Sequence, residues 1–385
     1  MTSDQRRISV LHLAFEDHRR AGSGGGAYRT HEIARRLAER HQVTVVTTTW
    51  RGARDRVEDG VRYVHVGLPG GYLVEVLSYF LCLPFVLRRL DADVVVEDFA
   101  APMSSALVPL YERRRPIVAL VQWLNAEEKS AQYHLPLHLV QRLGVRLHTR
   151  FIAVSEDIAT RLRRANPAAE VTVVPNGVDR TAFDIDEPKG ADIVYLGRIE
   201  IAQKGIDLLV QAVARVRDRL PGRVLLLGDG PVRAAVEAMV RDAGLDEVVL
   251  LVGRKSGVDR LRLLSSARLT VMPSRFETFG IVAVESHAVG TPVLAFDIDC
   301  LRAVVPDGTG RLVPAFDVAA FADAMADMAD MADDPAGMAE AGQRGRAFAR
   351  RFDWDLVAAQ QEALLLAAVE GRPVTGHVEL TEALA

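Results

Sequence analysis

The sequence predicts an α/β fold made of two doubly wound domains, and three observations lead to this prediction. The chain has 385 residues, more than the roughly 250 to 300 at which a single hydrophobic core stops growing. Strand-like apolar runs alternate with longer segments of helical period, which is typical of a parallel sheet covered on both faces. A polar stretch with neither period, residues 178–192, separates the two halves and is the expected hinge.

The first half opens with the strand-like run RISVLHLAF. A Gly-rich segment follows it, then the amphipathic segment AYRTHEIARRLAER, then a second strand-like run, QVTVVTTT. Further runs of the same kind are VRYVHVGL, ADVVVEDF, PIVALVQW and FIAVSED. We expect this first domain to span residues 1–182.

The second half repeats the alternation, with strand-like runs ADIVYLGR, RVLLLGDGP, EVVLLVGR, RLTVMPS and TPVLAFD. Helical segments such as GIDLLVQAVARVRDRL lie between these runs. We expect a second domain at residues 190–350, a C-terminal helix at 351–370 and a mobile polar tail at 371–385. Ligands of such sheets bind beyond the carboxyl ends of the strands, so we expect the two domains to face each other across a cleft lined by these loops.

Composition excludes several classes of protein. The formal net charge is −4, so nothing indicates a nucleic acid partner. Cys82 and Cys300 are the only cysteines; they are too few for a disulfide framework or a zinc cluster and favour a reducing cytoplasm. The most apolar stretch, residues 72–87, contains Glu75 and Pro84 and is shorter than the roughly 20 residues of a membrane-spanning helix.

The stretch SRFETFGIVAVES carries two carboxylates, Glu277 and Glu285, with seven residues between them. It joins a predicted strand to a predicted helix that ends at Gly290, and the unpaired N–H groups at such a helix start favour a phosphate. Gly280 would let a ligand approach the backbone closely. A nucleotide sugar, with hydroxyls at both ends and phosphates between, fits this arrangement; a capping carboxylate and a solvated glutamate fit the spacing equally well.

Two basic residues, Arg198 and Lys204, occur in YLGRIEIAQKGIDLL, again between a strand and a helix. Together they would neutralise a diphosphate and stabilise it as a leaving group. The alternative is that both are solvated surface residues. Two loops suited to anions within one predicted domain favour the first interpretation.

The Gly-rich segment AGSGGGAYR, residues 21–29, is a weak match to a dinucleotide-binding fingerprint. It starts about seven residues after the strand-like run, and no acidic residue closes the second run. We interpret it as a flexible loop whose amides reach a ligand, with a plain linker as the alternative. The sequence has no Walker A pattern, zinc-spaced Cys and His or GxSxG elbow.

Taken together, these motifs resemble the retaining glycosyltransferases of family 4, which have the GT-B fold. The resemblance covers about residues 8–368, is most specific in the second half, and rests on the two glutamates and on the following segments: FIAVSEDIATRL (151–162), VVPNGVD (173–179), YLGRIEIAQKGIDLLVQA (195–212), LLLGDGP (225–231), ESHAVGTPVLA (285–295) and DGTGRLVP (307–314). It implies Rossmann-like domains, the first for the acceptor and the second for the donor. It also implies a C-terminal helix that crosses back to the N-terminal domain.

The resemblance implies a role for each charged residue of the two loops. Arg198 and Lys204 would hold the diphosphate of a UDP- or GDP-type sugar. Glu277 would contact the sugar hydroxyls, and Glu285 would contact the ribose. The resemblance implies a reaction without a metal or other cofactor. It also implies that the reaction proceeds on one face of the sugar and that the departing diphosphate helps to deprotonate the acceptor hydroxyl.

The resemblance also implies contacts from neighbouring residues. On the donor side these are the backbone groups of Phe279, Gly280 and Ile281 around phosphate and sugar, Gly253 and Arg254 beside the base, and Gly25 and Gly26 closing over the donor. On the acceptor side they are Gly24, Gln122 and Asn125. Gln122 is a departure, because many members of the family have histidine there; glutamine can donate a hydrogen bond but cannot act as an acid or base.

Two other functions fit the same motifs. A sugar-nucleotide epimerase or phosphorylase on this fold would share the donor loops, and a non-catalytic nucleotide-sugar-binding module would bind without turnover. The expected acceptor is a natural product, a glycan or a lipid-linked sugar, and the oligomeric state is left open. Residues 70–90, apolar with a basic end, either pack as a core helix or give peripheral contact with the inner face of the membrane.

Overall fold

A computed structural model describes residues 6–20, 22–99, 107–330 and 335–373. The chain forms two compact units: Met1–Asn176 with Trp354–Ala385, and Gly177–Asp353. The segment expected as a hinge lies in the second unit, and part of it forms a 3-10 helix, Arg180–Asp184, which the Asp179 side chain caps by accepting a hydrogen bond from Thr181 N–H. From residue 374 onward, the tail expected to be mobile lies outside the described residues.

The first unit contains an eight-stranded sheet with the order β3-β4-β2-β1-β5-β6-β7-β8. Only the short β3 is antiparallel to its neighbour among the described strands. The strands are β1 Ser9–Leu13, β2 Gln42–Thr48, β3 Arg56–Glu58, β4 Val61–Val66, β5 Val94–Asp98, β6 Ile117–Val121, β7 Arg150–Ala153 and β8 Glu170–Val173. The central strands are largely aliphatic and buried, because helices cover both faces of the sheet; His12 and Glu97 are buried polar exceptions.

Five α-helices of the first unit are α1 Gly25–Ala38, α2 Tyr72–Arg89, α3 Ala126–Tyr133, α4 Leu137–Leu147 and α5 Glu156–Ala165, with a 3-10 helix at Val108–Leu110. The connections β4 to β5, β6 to β7 and β7 to β8 run in one direction across the strand order, and β1 to β2 runs in the other. Since such crossovers are right-handed, α2, α4 and α5 cover one face of the sheet and α1 covers the opposite face.

The second unit is a six-stranded parallel sheet with the order β11-β10-β9-β12-β13-β14. Its strands are β9 Ile193–Leu196, β10 Val224–Leu227, β11 Val249–Gly253, β12 Leu269–Met272, β13 Val293–Phe296 and β14 Gly310–Val313. Its helices are α6 Ile206–Val216, α7 Arg233–Asp242, α8 Gly257–Ser266, α9 Ile281–Ala288, α10 Asp299–Arg302, α11 Val318–Asp330 and α12 Pro335–Ala349, with 3-10 turns at Arg217–Arg219 and Arg350–Phe352. Aliphatic side chains of β9, β10, α6 and α11 form the main core.

The C-terminal helix α13, Trp354–Val369, belongs to the first unit and packs on α1. Glu362 receives hydrogen bonds from His41 (2.8 Å) and from Arg40, and Gln361 Oε1 accepts one from the fully buried Arg29 guanidinium at 3.0 Å. Trp354 is completely buried at the start of the helix. Parallel sheets in both units and the return of this helix confirm the predicted fold class.

A buried histidine on α9, His287, makes the stability of the second unit depend on pH. Its Nε2 lies 3.1 Å from the carbonyl oxygen of Val304, and burial lowers its pKa from 6.5 to about 4. The unfolded chain therefore binds more protons than the folded chain between these two pH values. Stability contributed by the neutral imidazole is complete above about pH 6.5 and is lost as the pH falls towards 4.

We predict that His287→Gln flattens this acid dependence. Glutamine can still donate a hydrogen bond to the Val304 carbonyl group but has no proton to gain. As the pH is lowered, the free energy of unfolding of the natural protein should therefore fall more steeply than that of the variant, by up to about 1.4 kcal/mol per pH unit. Denaturant unfolding from pH 7 to pH 4 measures the difference. The matched control is His134→Asn at an exposed residue with positive φ, which asparagine tolerates; equal slopes for all three proteins would contradict the prediction.

Candidate active site

In the second unit, the loop after β9 carries Arg198 and Lys204. Glu200 braces this loop, since its two carboxylate oxygens accept the backbone N–H groups of Ala202 (2.8 Å), Gln203 (2.8 Å) and Lys204 (3.2 Å). The loop then enters α6 through Gly205, which has a positive φ of 64°. The side chain of Lys204 is thereby held at the carboxyl end of the sheet.

Lys204 meets Glu277, which lies on the loop after the neighbouring strand β12. The Nζ atom of Lys204 is 2.5 Å from Oε1 of Glu277, and the hydroxyl group of Ser274 donates to the same oxygen at 3.0 Å. The two charged side chains keep 19% and 13% exposure respectively. Two residues that the sequence singled out on separate loops are therefore in direct contact and remain partly open to solvent.

Arg198 is exposed on the same loop, with its guanidinium 3.2 Å from Oε1 of Gln203. Its backbone carbonyl group accepts a hydrogen bond of 2.6 Å from the hydroxyl group of Tyr195. Burial, together with the negative charges of Glu277 and Glu200, raises the pKa of this tyrosine well above its ordinary value. The tyrosine therefore stays protonated and fixes the backbone at Arg198.

Gly280 begins helix α9 with a positive φ of 89°, and no side chain caps the helix N-terminus. A Cβ atom at this position would lie 2.6 Å from Cδ2 of Leu301. The positive φ and the close contact with Leu301 explain why a glycine is needed at position 280, whereas the sequence had suggested only close approach by a ligand. Phe279, before it, is buried and packs edge-to-face on Phe352 at 5.6 Å, and Ile281 is the first helical residue.

Glu285, in the second turn of α9, is 5% exposed and forms an ion pair with Arg260 of helix α8. The distance between Oε1 and Nη2 is 2.6 Å. Burial raises the pKa of Glu285, while Arg260 opposes the rise and Asp179 adds to it. The sequence did not predict a role for Arg260. It lies 25 positions before Glu285, and no local pattern links residues at that separation.

The remaining donor-side residues lie on neighbouring loops of the second unit. Gly253 ends β11 with a positive φ of 85° and accepts the backbone N–H of Gly228 at 3.0 Å; exposed Arg254 follows it. Gly228 follows β10, and a Cβ atom there would lie only 1.8 Å from the carbonyl oxygen of Gly197. This approach locks the loop after β10 against the loop that carries Arg198.

In the first unit, the Gly-rich segment is partly helical and not simply a flexible loop. Gly24 is the N-cap of α1, and Gly25 and Gly26 form its first turn, again with no capping side chain. The N–H of Gly24 donates to Oε2 of Glu16 at 3.1 Å. A Cβ at Gly26 would lie 3.1 Å from Nε2 of Gln122, so the structure brings these two predicted residues together.

Two further polar residues lie near the carboxyl ends of the strands in the first unit. Nε2 of His12 on β1 is 2.8 Å from Oδ1 of Asp98, the last residue of β5. His12 is 3% exposed. The sequence signal that could have found this residue is a histidine within a mostly apolar strand-like run, RISVLHLAF. Asn125, predicted on the acceptor side, is the N-cap of α3.

One group in the first unit has the composition of a metal site: ligand atoms of His18, His31 and Glu58 lie within 4.8 Å of one another. Glu58, however, already pairs with Arg19 at 2.8 Å and with Arg56 at 2.7 Å. Two guanidinium groups beside the carboxylate oppose a cation, because like charges repel at this range. The group is therefore better described as an ion-pair network that closes β3 onto α1.

Among the described residues, no helix is long and apolar enough to cross a membrane. Helix α2 is the helix that the sequence left undecided, and its apolar residues divide between two sides. Val76, Tyr79 and Leu83 are buried against the sheet, whereas other large side chains are more than half exposed: Leu73, Leu77, Leu81 and Phe85.

The two parallel sheets, with charged loops at the carboxyl ends of their strands, have the architecture of the GT-B glycosyltransferases. Family models agree: residues 23–182 match Glycosyltransferase Family 4, and residues 190–331 match Glycosyl transferases group 1. The solved structure of Anabaena HepE in complex with UDP and glucose aligns with a TM-score of 0.72 over 93% of this chain and 99% of that one, at 19% sequence identity.

Comparison with curated proteins also finds glycosyltransferases. A phosphatidyl-myo-inositol mannosyltransferase of Mycolicibacterium smegmatis is 32% identical over 288 residues, 70% of each chain. A glycogen synthase of Mycobacterium tuberculosis is 35% identical over 213 residues, 53% of this chain and 50% of that protein. The chain thus matches about half the length of the glycogen synthase and two thirds or more of the mannosyltransferase. It belongs to glycosyltransferase family 4.

We predict that Gly228→Ala destabilises the second unit by more than about 2 kcal/mol, because the new methyl group meets the Gly197 backbone and not a movable side chain. Denaturant unfolding measures the loss. Gly71→Ala is the control, since a Cβ at this N-cap of α2 meets no atom within 4 Å. A Gly228→Ala protein as stable as the control would show that the two loops do not constrain each other.

Proposed function

We propose that this glycosyltransferase moves a hexose from a UDP- or GDP-type sugar to an acceptor hydroxyl group with retention of the anomeric configuration. The contact of Lys204 with Glu277 carries the proposal. It places an ammonium group suited to phosphate beside a carboxylate suited to sugar hydroxyls, and both remain accessible. In this proposal the second unit binds the donor and the first binds the acceptor.

The chemistry follows from where the charges lie. As the bond between the anomeric carbon and the diphosphate oxygen breaks, negative charge grows on the diphosphate. Lys204, Arg198 and the uncapped start of α9 at Gly280 and Ile281 stabilise that charge. The acceptor oxygen forms the new bond on the same face, and its proton passes to the departing phosphate oxygen, so no strong protein base is required.

Other residues position the donor. Glu277 binds sugar hydroxyls, and the backbone around Phe279 contacts phosphate and sugar. Glu285 binds the ribose, and the ion pair with Arg260 keeps its carboxylate oriented. We assign Gly253 and Arg254 to the base, Gly25 and Gly26 to the donor, and Gly24, Gln122 and Asn125 to the acceptor.

We predict that Glu277→Gln and Lys204→Met each lower kcat/KM for transfer at least about a hundredfold, the usual cost of removing an electrostatic contact made in the transition state. Both side chains are partly exposed, so the fold should persist. A labelled donor and chromatographic product analysis measure transfer, and circular dichroism checks folding. The matched control is Glu247→Gln, an exposed glutamate before β11, at the opposite end of the strands.

Transfer at the wild-type rate by both variants would show that Glu277 and Lys204 do not belong to the active site. The same labelled donor separates the rival functions: epimerised sugar without acceptor indicates an epimerase, a sugar phosphate formed with inorganic phosphate indicates a phosphorylase, and binding without turnover indicates a binding module.

A thermal-shift panel of nucleotide sugars identifies the donor, since the ligand that binds the folded state raises the melting temperature by mass action.

The proposed reaction needs no metal ion or other cofactor, because Arg198 and Lys204 supply the positive charge near the diphosphate. We predict that transfer continues at an unchanged rate after exhaustive chelation of divalent ions. Rates measured with and without a chelator test this. A loss of activity that added Mg²⁺ or Mn²⁺ restores would overturn metal independence, and His18→Gln would then show whether the histidine group is involved.

For the acceptor we propose a natural product, a glycan or a lipid-linked sugar. The row of exposed residues Leu73, Leu77, Leu81 and Phe85 recurs every four positions along α2, with Arg88 and Arg89 in its last turn. Such a helix, with one side packed on its sheet, suits peripheral contact with a membrane surface. We accordingly propose a cytoplasmic protein that reaches the inner face of the membrane through residues 70–90.

A further inference from the structure

A pocket of about 350 Å³ lies between helices α4 and α5 of the first unit. Its polar lining comes from Arg142, Arg146, Arg164 and Gln141, and its apolar lining includes Leu124 and Val145. Gln141 is anchored, since its Oε1 accepts the N–H of Ala126 at 3.1 Å. None of these residues was singled out in the sequence or assigned to donor or acceptor above.

Arg142 and Arg146 on α4 and Arg164 on α5 lack the side-chain partners that the other arginines of α5 have. Arg163 pairs with Glu156 at 3.0 Å, and Arg161 bonds to the carbonyl oxygen of Leu124 and lies 3.9 Å from Asp157. Within the described part of the chain, the guanidinium groups of Arg142, Arg146 and Arg164 have no hydrogen bond or ion pair, and all three residues are exposed. The pocket therefore brings together three arginines that have no direct acidic partner among the described residues, in a chain whose net charge is −4.

Large apolar side chains stand beside these charges on α4. Leu139 is 52% exposed and Leu143 is 48% exposed. Each lies three positions before an arginine of the pocket, Arg142 and Arg146 respectively, and residues at this spacing are neighbours on a helix surface. Leu135, just before the helix, extends the exposed apolar row.

The exposed row on α4 lies on the same face of the sheet as the exposed row on α2, because both helices belong to right-handed crossovers that run in the same direction. Leu110 and Tyr111, between the two helices along the chain, are also exposed. The exposed apolar rows of α2 and α4 thus share one face of the unit, whereas Tyr28 on α1 and Val57 on β3 are exposed elsewhere.

We propose that the pocket of Arg142, Arg146 and Arg164 binds the phosphate of an anionic phospholipid headgroup, while Leu139 and Leu143 enter the boundary between headgroups and acyl chains. Guanidinium groups bind phosphate oxygens through paired hydrogen bonds, and leucines favour that boundary. The inference deepens the proposed membrane contact and rests on it. It adds a requirement for a negatively charged lipid, which the apolar row of α2 alone does not impose.

The test is co-sedimentation of the full chain with vesicles of phosphatidylcholine alone or mixed equally with phosphatidylglycerol. We expect the natural protein to bind the mixed vesicles more tightly than the phosphatidylcholine vesicles. The double variant Arg142→Gln/Arg146→Gln should lose about tenfold or more in affinity for the mixed vesicles and should bind phosphatidylcholine vesicles as the natural protein does. Arg241→Gln, an exposed arginine of α7 with no side-chain partner among the described residues, is the matched control. Mixed-vesicle binding by the double variant equal to that of the control would overturn the proposal.

A second comparison separates lipid from free phosphate. Leu139→Ser/Leu143→Ser should weaken binding to mixed vesicles, and glycerol 3-phosphate in solution should not compete with them. Full competition together with unchanged binding by the leucine variant would mean that the pocket takes a soluble phosphate compound, and the lipid assignment would fall. Each variant should keep its thermal shift with the sugar donor, so a failure here is distinguishable from a failure of the proposed transfer reaction.

Discussion

The pairing of Lys204 with Glu277 is the contact on which the proposed donor site depends. The two residues are 73 positions apart, yet they follow strands that are hydrogen-bonded neighbours, β9 and β12. A parallel sheet turns distance along the chain into proximity at one edge, because all its strands end there. Glu200 accepts the backbone N–H of Lys204, and Ser274 donates to the Glu277 carboxylate, so the two charges are positioned before any ligand arrives.

The same edge is built largely from backbone. Gly228 packs against the carbonyl oxygen of Gly197, Gly253 accepts the N–H of Gly228, and Gly280 opens a helix that no side chain caps. The N–H groups at the start of this helix offer dipoles to a phosphate without the entropy cost of ordering long side chains. Catalysis by positioning and by stabilisation of the leaving group is what such a site supplies.

Much of this was predictable from the sequence, because strand runs, helical period and strand-to-helix loops are local patterns. The alternation predicted both sheets, and the stretch that carries Glu277 and Glu285 does join a strand to a helix. Partners distant in sequence were not predictable: Arg260 beside Glu285 and Asp98 beside His12 depend on how elements pack. Nor could an almost uniformly apolar α2 reveal which of its residues would be left exposed.

The C-terminal helix has a consequence for how the chain is made. The first unit needs residues 354–373 as well as the first 176 residues, and the entire second unit lies between them. During synthesis on the ribosome, residues 177–353 can emerge and fold while Arg29, Arg40 and His41 still lack their partners on the C-terminal helix. All eight strands of the first sheet are made early, but the first unit is the last to be completed, and for that interval it is the part of the nascent chain that a chaperone would have reason to hold.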